Sequence, residues 1–323
     1  MQVARTILSL FGGCETMSAI TLHACCPKSD LHGWHISRSY PACKLQVVRE
    51  ADLKLSGVDT GSESVYHATW NGTRVTVKRV LAEGEDLDLE DFAKFFTEVA
   101  IMSRMRFPCV AEFYGVSPSG LLIMERSERH LRRWCQEAPR GWAAKLGVLR
   151  RAAQGLKYVH GRGVIHRGVN AFAFFVYDGD EVKIADFSSA ISRTDVRTIS
   201  VRQHAATHLL DAPEVFFEKR PHSYASDVFA FGLVMYEVAS QREPYGPGAT
   251  PGDVYRRRRA QQAPCRLPGD CPPGLKDLTE RCCSVVPDLR PPMAEVCVRL
   301  EFLEEEFEEG QGEEQLPVSG WCY

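Results

Sequence analysis

Apolar residues along the chain repeat with two periods, and the change from one to the other outlines its elements. Residues 64–70 (Ser-Val-Tyr-His-Ala-Thr-Trp) and 73–80 (Thr-Arg-Val-Thr-Val-Lys-Arg-Val) flank Asn71-Gly72. Both arms are rich in β formers, and Asn-Gly accepts the positive φ angles of a tight hairpin turn, so a β-hairpin is expected. Across residues 91–105 the period becomes helical, with Phe95, Glu98, Met102 and Met105 on one stripe. The hairpin lies within a longer run of strands from Val47 to Val80, and strand-like runs at 110–114 and 121–124 complete a five-stranded set. A helix over 142–160 places Leu146, Leu149, Ala153, Leu156 and Val159 on one side. Residues 172–176 and 182–185 are short apolar runs around Tyr177-Asp178-Gly179-Asp180, a second hairpin. Residues 227–236 are apolar nearly all round, as a central buried helix requires.

Charge changes this picture at two places. Glu98 lies on the inward stripe of its helix, where an isolated carboxylate is costly, so it needs a cation. Lys78, within Val75-Thr76-Val77-Lys78, is the candidate. The acidic run from Glu83 to Asp91 precedes the same helix and favours its positive end. The basic run Arg256 to Arg259 reads as a solvated helix face rather than a docking patch, and residues 304–314 as an acidic, frayed helix end and tail.

Composition bounds the rest. At 323 residues, 44% hydrophobic and 25% charged, the chain can bury one or two cores. Its net charge of −3 gives no reason to expect nucleic-acid binding. No apolar run approaches the roughly 18 residues of a transmembrane helix, and the run at 6–11 is too short for a signal peptide. The 12 cysteines form no C-x-x-C pair, which suits free thiols in a reducing compartment; the cytoplasm is expected. Residues 1–46 hold Cys14, His23, Cys25, Cys26, His32, His35 and Cys43 at spacings that match no structural zinc pattern, so a poorly ordered extension is expected there.

The stretch His166-Arg167-Gly168, the hairpin after it and Asp186-Phe187-Ser188 resemble the catalytic and metal loops of a protein kinase, H-R-D-x-x-x-x-N and D-F-G. Lys78 matches the lysine of V-A-I-K, Glu98 its partner, and Ala212-Pro213-Glu214 the A-P-E motif. Asp227 matches the aspartate that braces the catalytic loop, and Arg290 the arginine that pairs with Glu214. Thr207 matches the threonine seven residues before that glutamate. His166, Arg167 and Phe187 are carried over as structural positions. The wording Trp-Asn-Gly-Thr-Arg-Val-Thr-Val-Lys and Asp-Val-Phe-Ala-Phe-Gly is most similar to the tyrosine-kinase-like group of serine/threonine kinases. The resemblance implies an α+β, bilobal fold: a kinase-like N-lobe at 47–127 with five antiparallel strands and one helix, a mainly helical C-lobe at 128–303, and an acidic tail at 304–323.

It also implies where the chemistry fails. The family's base falls on Gly168 and its metal-ligating Asn on Ala173, so no catalytic residue is assigned. Asn170 lies three positions too early to replace that ligand. Val58, Thr60 and Glu63 occupy the glycine positions of the phosphate loop that ends at Val65. Asp186 remains as the one metal ligand. Nucleotide-binding candidates are Lys78, Glu98, Val65, Asp186, the gatekeeper Met124 and the hinge backbone of Glu125 to Ser127. These imply a pseudokinase that binds protein partners in signalling, with ATP and Mg2+ held weakly or not at all. The alternatives are a slow serine/threonine kinase and an interaction domain without nucleotide binding.

Overall fold

The computed structural model describes residues 20–22, 36–38, 46–56, 65–79, 89–117, 119–192, 209–260, 264 and 266–313. The glycine-loop positions Val58, Thr60 and Glu63, the acidic run at 83–88, the segment carrying Thr207 and the N-terminal Cys/His group lie outside these residues.

Strands β1 (Ile20–Leu22) and β2 (Ile36–Arg38) pair antiparallel. They are followed by β3 (Leu53–Ser56), β4 (Val65–Trp70), β5 (Thr73–Arg79), helix α1 (Leu89–Met102), β6 (Phe113–Val116) and β7 (Leu121–Glu125). Next come β8 (Arg129–His130), α2 (Leu131–Glu137), α3 (Trp142–Gly161), β9 (Val164–Ile165), β10 (Phe174–Val176), β11 (Val182–Ile184) and β12 (Ile191–Ser192). The chain closes with α4 (Pro213–Phe216), α5 (Tyr224–Ser240), α6 (Pro251–Arg259), α7 (Pro273–Cys282) and α8 (Met293–Glu313). It divides into two compact units. The first comprises Met1–Glu128, Gly163–Gly168 and Ala185–Gln203; the second comprises Arg129–Arg162, Val169–Ile184 and His204–Tyr323.

The first unit is built on a five-stranded sheet in the order β3-β4-β5-β7-β6, every pairing antiparallel. Asn71 (φ 47°) and Gly72 (φ 84°) make the β4–β5 turn, both in the left-handed region that Asn-Gly tolerates. Strand alternation then sorts the side chains. Ala68, Val75, Val77 and Ile123 join Val48 in one apolar cluster, while Lys78 and Thr76 point to the opposite face. The strand expected at 110–114 is displaced. Residues 107–110 form a turn, with Val110 N–H donating to Phe107 O, and β6 begins at Phe113 although Val110 and Ala111 are buried. Burial alone accounts for their apolarity.

The second unit holds the sheet β11-β10-β8 and, among the described residues, every α-helix except α1. Leu146, Leu149, Ala153, Leu156 and Val159 of α3 are buried, as their spacing predicts, and α5 is buried from Ser226 to Ala239. The expected strand over 172–176 starts instead at Phe174. Asn170 forms a turn there: its Oδ1 accepts from Phe172 N–H at 2.7 Å and its carbonyl from Ala173 N–H at 3.0 Å. The boundary expected at 304 falls inside α8, where Glu304 pairs with Arg150 of α3. The basic run is not a uniformly solvated face either. With about 3.6 residues per turn, four consecutive arginines cannot all point outward, and Arg258 turns inward with Val254.

Among the described residues Cys109, Cys135, Cys271, Cys282, Cys283 and Cys297 are free thiols. Burial pushes those of Cys135 and Cys282 up to about 12, so neither is a thiolate at neutral pH. No helix of the described residues is long and apolar enough to cross a membrane.

Glu214 and Arg290 form a buried ion pair in the second unit. Arg290 holds Glu214 through two bonds of 2.7 Å and also donates to the carbonyls of Ser284 and Ala225. Its guanidinium lies 5.0 Å from the Phe229 ring centroid. Breaking such a pair strands a buried charge and costs about 3–5 kcal/mol. Urea denaturation of Arg290→Met is expected to show a loss of that order, partly recovered by adding Glu214→Gln. A single-variant loss below about 1 kcal/mol would mean the pair is not the anchor.

Candidate functional site

The sheet of the first unit presents a second face. Register sets Val65 opposite Lys78, His67 opposite Thr76, and Lys78 and Thr76 opposite Leu122 and Met124. These six residues therefore share one side of the sheet. Helix α1 buries Phe95, Glu98, Val99 and Met102, which confirms the inward stripe read from the sequence. Glu98 is 0% exposed and finds the cation it needs: Lys78 Nζ lies 3.1 Å and 2.9 Å from its two carboxylate oxygens.

The same ammonium reaches a second carboxylate, Oδ1 of Asp186, at 2.8 Å. Asp186 adopts a left-handed conformation (φ 58°, ψ 65°), one of the few residue types that does so readily. A 3-10 turn over Phe187–Ser189 follows it. Through that turn the Ser188 hydroxyl donates to Asp186 Oδ1 at 2.9 Å, and the backbone of Phe187 bonds Glu98. Oδ1 thus takes two donors.

Charge states follow from these contacts. Burial disfavours the Lys78 ammonium, but Asp186 and Glu98 outweigh it and raise its pKa above the ordinary lysine value. Lys78 holds the Asp186 carboxyl well below the usual carboxylate range. Burial pushes the Glu98 carboxyl up, and Lys78 offsets this only in part.

His166 and Phe187 are both buried, with ring centroids 5.0 Å apart. His166 Nδ1 faces Gly168 N–H at 3.3 Å and Nε2 faces Ala185 O at 3.0 Å. Nδ1 therefore accepts and Nε2 carries the proton. Arg167 stands at positive φ (64°). Gly168 needs no glycine on steric grounds. Its φ lies outside the left-handed region, and an added Cβ would meet nothing nearer than His166 Nδ1 at 3.7 Å.

In the second unit Ala173 is fully buried, and Asn170 spends its side-chain oxygen on the turn described above. Asp227 bonds His160 at 3.0 Å. Glu214 and Arg290 pair as expected.

At the hinge, Met124 is buried and Glu125 N–H donates to Glu112 O at 2.8 Å. Ser127 N–H donates to Thr76 Oγ1 at 3.4 Å. Two hydroxyls thus enter the site that motif reading passed over. Ser188 registers in the sequence only as a missing glycine. Thr76 is signalled only by alternation, which puts it on the Lys78 side.

Residues 58–300 match the family described as protein tyrosine and serine/threonine kinase. The serine/threonine/tyrosine-protein kinase HT1 of Arabidopsis thaliana is 29% identical over 255 residues, 76% of this chain and 64% of that protein. A protein of Acanthamoeba polyphaga mimivirus named as a serine/threonine-protein kinase/receptor, R826, is 28% identical over 252 residues, 74% of this chain and 15% of its own length. The Dictyostelium discoideum protein drkD, named a probable serine/threonine-protein kinase, is 28% identical over 267 residues, 78% of this chain and 20% of its own. This chain spans less than two thirds of the length of each.

The Lys78 contacts give a pH-dependent test. Lys78→Met leaves Glu98 buried without its cation and is expected to cost about 3–5 kcal/mol near pH 7. In the variant the Glu98 pKa rises further, so the variant gains stability as pH falls and the carboxyl protonates. In the wild type the depressed Asp186 carboxyl contributes stability above its ordinary value of 3.8 and loses it below. Both effects narrow the gap on acidification. Urea denaturation at pH 7 and pH 4 should show a smaller difference at pH 4; a constant or widening gap would contradict the charge assignment.

Proposed function

We propose that this chain, which belongs to the protein tyrosine and serine/threonine kinase family, is a pseudokinase of the tyrosine-kinase-like group. It works by binding signalling proteins in the cytoplasm, as a scaffold or allosteric regulator, with nucleotide held weakly or not at all. The observation that carries this reading is Gly168. In the family an Asp at that place accepts the proton of the substrate hydroxyl; here no side chain exists to do so. The neighbouring imidazole cannot substitute, because both nitrogens of His166 are engaged, one by Gly168 N–H and the other by Ala185 O.

The donor set does not fit the magnesium ions of the family. Asp186 is the one acidic group left, and its Oδ1 already takes Lys78 and Ser188. Ala173 offers a buried methyl where an amide oxygen is required. Among the described residues no group of three or more His, Cys, Asp or Glu could hold a metal ion. No step through a metal is therefore written. The hinge supports weak nucleotide binding as well. A base edge needs a free backbone donor, and Ser127 N–H is directed at Thr76 Oγ1.

A slow serine/threonine kinase is the second reading, favoured by the intact Lys78–Glu98–Asp186 contacts. Losing a general base typically costs about 10²–10⁴ in rate, so turnover decides between the two. With radiolabelled ATP and a generic protein substrate, wild type is expected to match an Asp186→Ala control. Gly168→Asp should fold normally, since its Cβ would make only ordinary van der Waals contacts, and remain inactive. Adding Ala173→Asn supplies both missing groups, at a stability cost of about 1–3 kcal/mol for overfilling a buried site. Robust wild-type turnover that disappears in Asp186→Ala would establish the slow kinase instead.

A second test addresses the hinge. Thr76→Ala releases Ser127 N–H, so thermal shifts with ATP are expected to be larger in Thr76→Ala than in wild type. Equal shifts would show that the Thr76 hydroxyl does not limit binding.

A further inference from the structure

The basic run in α6 and the end of α4 meet at a surface that the nucleotide site does not involve. Phe217 and Tyr255 are 37% and 40% exposed, although aromatic rings of this size usually bury. They are not loose. Phe217 stacks edge-to-face on Phe216 and on Tyr255, with ring centroids 5.1 Å apart in each case. Underneath, Arg258 fixes the arrangement. Its guanidinium lies 5.5 Å from the Phe216 ring, 5.2 Å from Phe229 and 5.4 Å from Tyr245. It donates to Tyr245 Oη at 3.0 Å and to Leu209 O at 2.5 Å, and it also bonds Asp211 O. The N-terminus of α6 is closed by a reciprocal Thr250–Asp253 cap. The two exposed rings therefore stand on a rigid base, which lowers the ordering cost of any contact they make.

Four basic residues neighbour the rings in the chain. Lys219 Nζ lies 5.8 Å from the Phe216 ring. The side chains of Arg220 and Arg256 are 64% and 73% exposed, and Arg257 stands at the adjoining helix position. Arg220 pairs with Glu218 at 2.7 Å and Arg256 with Asp253 at 2.5 Å. Lys219 and Arg257 add two further positive charges, so this surface is positive on a chain whose net charge is −3. Exposed aromatic residues flanked by arginine match the composition of protein-interface centres. A nucleic acid fits less well: a chain of net negative charge repels a long polyanion, and two rings at the centre leave few positions for phosphate.

We infer that Phe217 and Tyr255, with Lys219, Arg220 and Arg256 beside them in the chain, form a docking site for an acidic segment of a partner protein that lays one bulky apolar side chain across the outer face of the two stacked rings. The cations steer and align the segment, and the rings supply its anchor contact. This rests on the surface alone and stands whether or not the chain binds nucleotide.

The test is fluorescence anisotropy with the full chain and labelled dodecapeptides of Glu, Ser and Gly, each carrying one Trp, Leu or Phe at a varied position. At least one such peptide is expected to bind with a dissociation constant of about 10⁻⁵ M, weakening at high salt. The same peptide with alanine as anchor should lose that binding. Phe217→Ser with Tyr255→Ser should weaken it about tenfold or more, as loss of a central anchor does. Arg256→Ser, at an exposed position that leaves the fold intact, should weaken it several-fold and reduce the salt dependence. No peptide binding below about 1 mM would overturn the proposal. So would binding that survives Arg256→Ser and both ring substitutions, or equal binding of a single-stranded oligonucleotide, which would make the surface a general anion patch.

Discussion

The ammonium of Lys78 lies within 3.1 Å of three carboxylate oxygens, two from Glu98 and one from Asp186. Much of the first unit is arranged by that contact. Glu98 is fully buried on α1 and would be untenable there without a cation. Asp186 is held in a left-handed turn whose next residue, Phe187, packs on His166 and bonds Glu98 through its backbone. One cation therefore ties β5, α1 and the turn at 186–189 together. In an active kinase the same three groups orient phosphates and metal. Here the Ser188 hydroxyl adds a second donor to Asp186 Oδ1.

The proposed reading is a kinase fold without kinase chemistry. The costly parts of the framework are present: the inward ion pair of the first unit, and the Glu214–Arg290 pair and all-buried α5 of the second. On that reading the group that would take the substrate proton is missing at Gly168, where the fold does not demand a glycine. Gly168 has room for a side chain and an ordinary backbone conformation. Fold and site are separable, and function follows the site.

Much of this was legible in the sequence because it depends on spacing. Helical spacing placed Glu98 inward and so called for a cation, and the resemblance to V-A-I-K named Lys78 as that cation. Features that depend on local hydrogen bonding were less visible. The Asn170 turn delays β10 to Phe174, and no apolar count reveals that. Val110 is apolar because it is buried, and residues 107–110 turn rather than extend. The inward rotation of Arg258 is hidden by composition, which treats four arginines as equivalent. Thr76 and Ser188 act through hydroxyl direction, which becomes visible only once β5 and the turn after Asp186 have coordinates.

Nucleotide affinity measured with and without metal tests the central claim most directly. Isothermal titration of the wild-type chain with a non-hydrolysable ATP analogue, in EDTA and again in excess Mg2+, compares the two conditions in one protein. With Asp186 Oδ1 already satisfied and Ala173 in place of a ligand, the dissociation constant is expected to be weaker than about 0.1 mM and the same in both. Micromolar or tighter binding that appears with Mg2+ and is lost in EDTA would contradict it, because Asp186 would then hold a metal centre without a second ligand at Ala173.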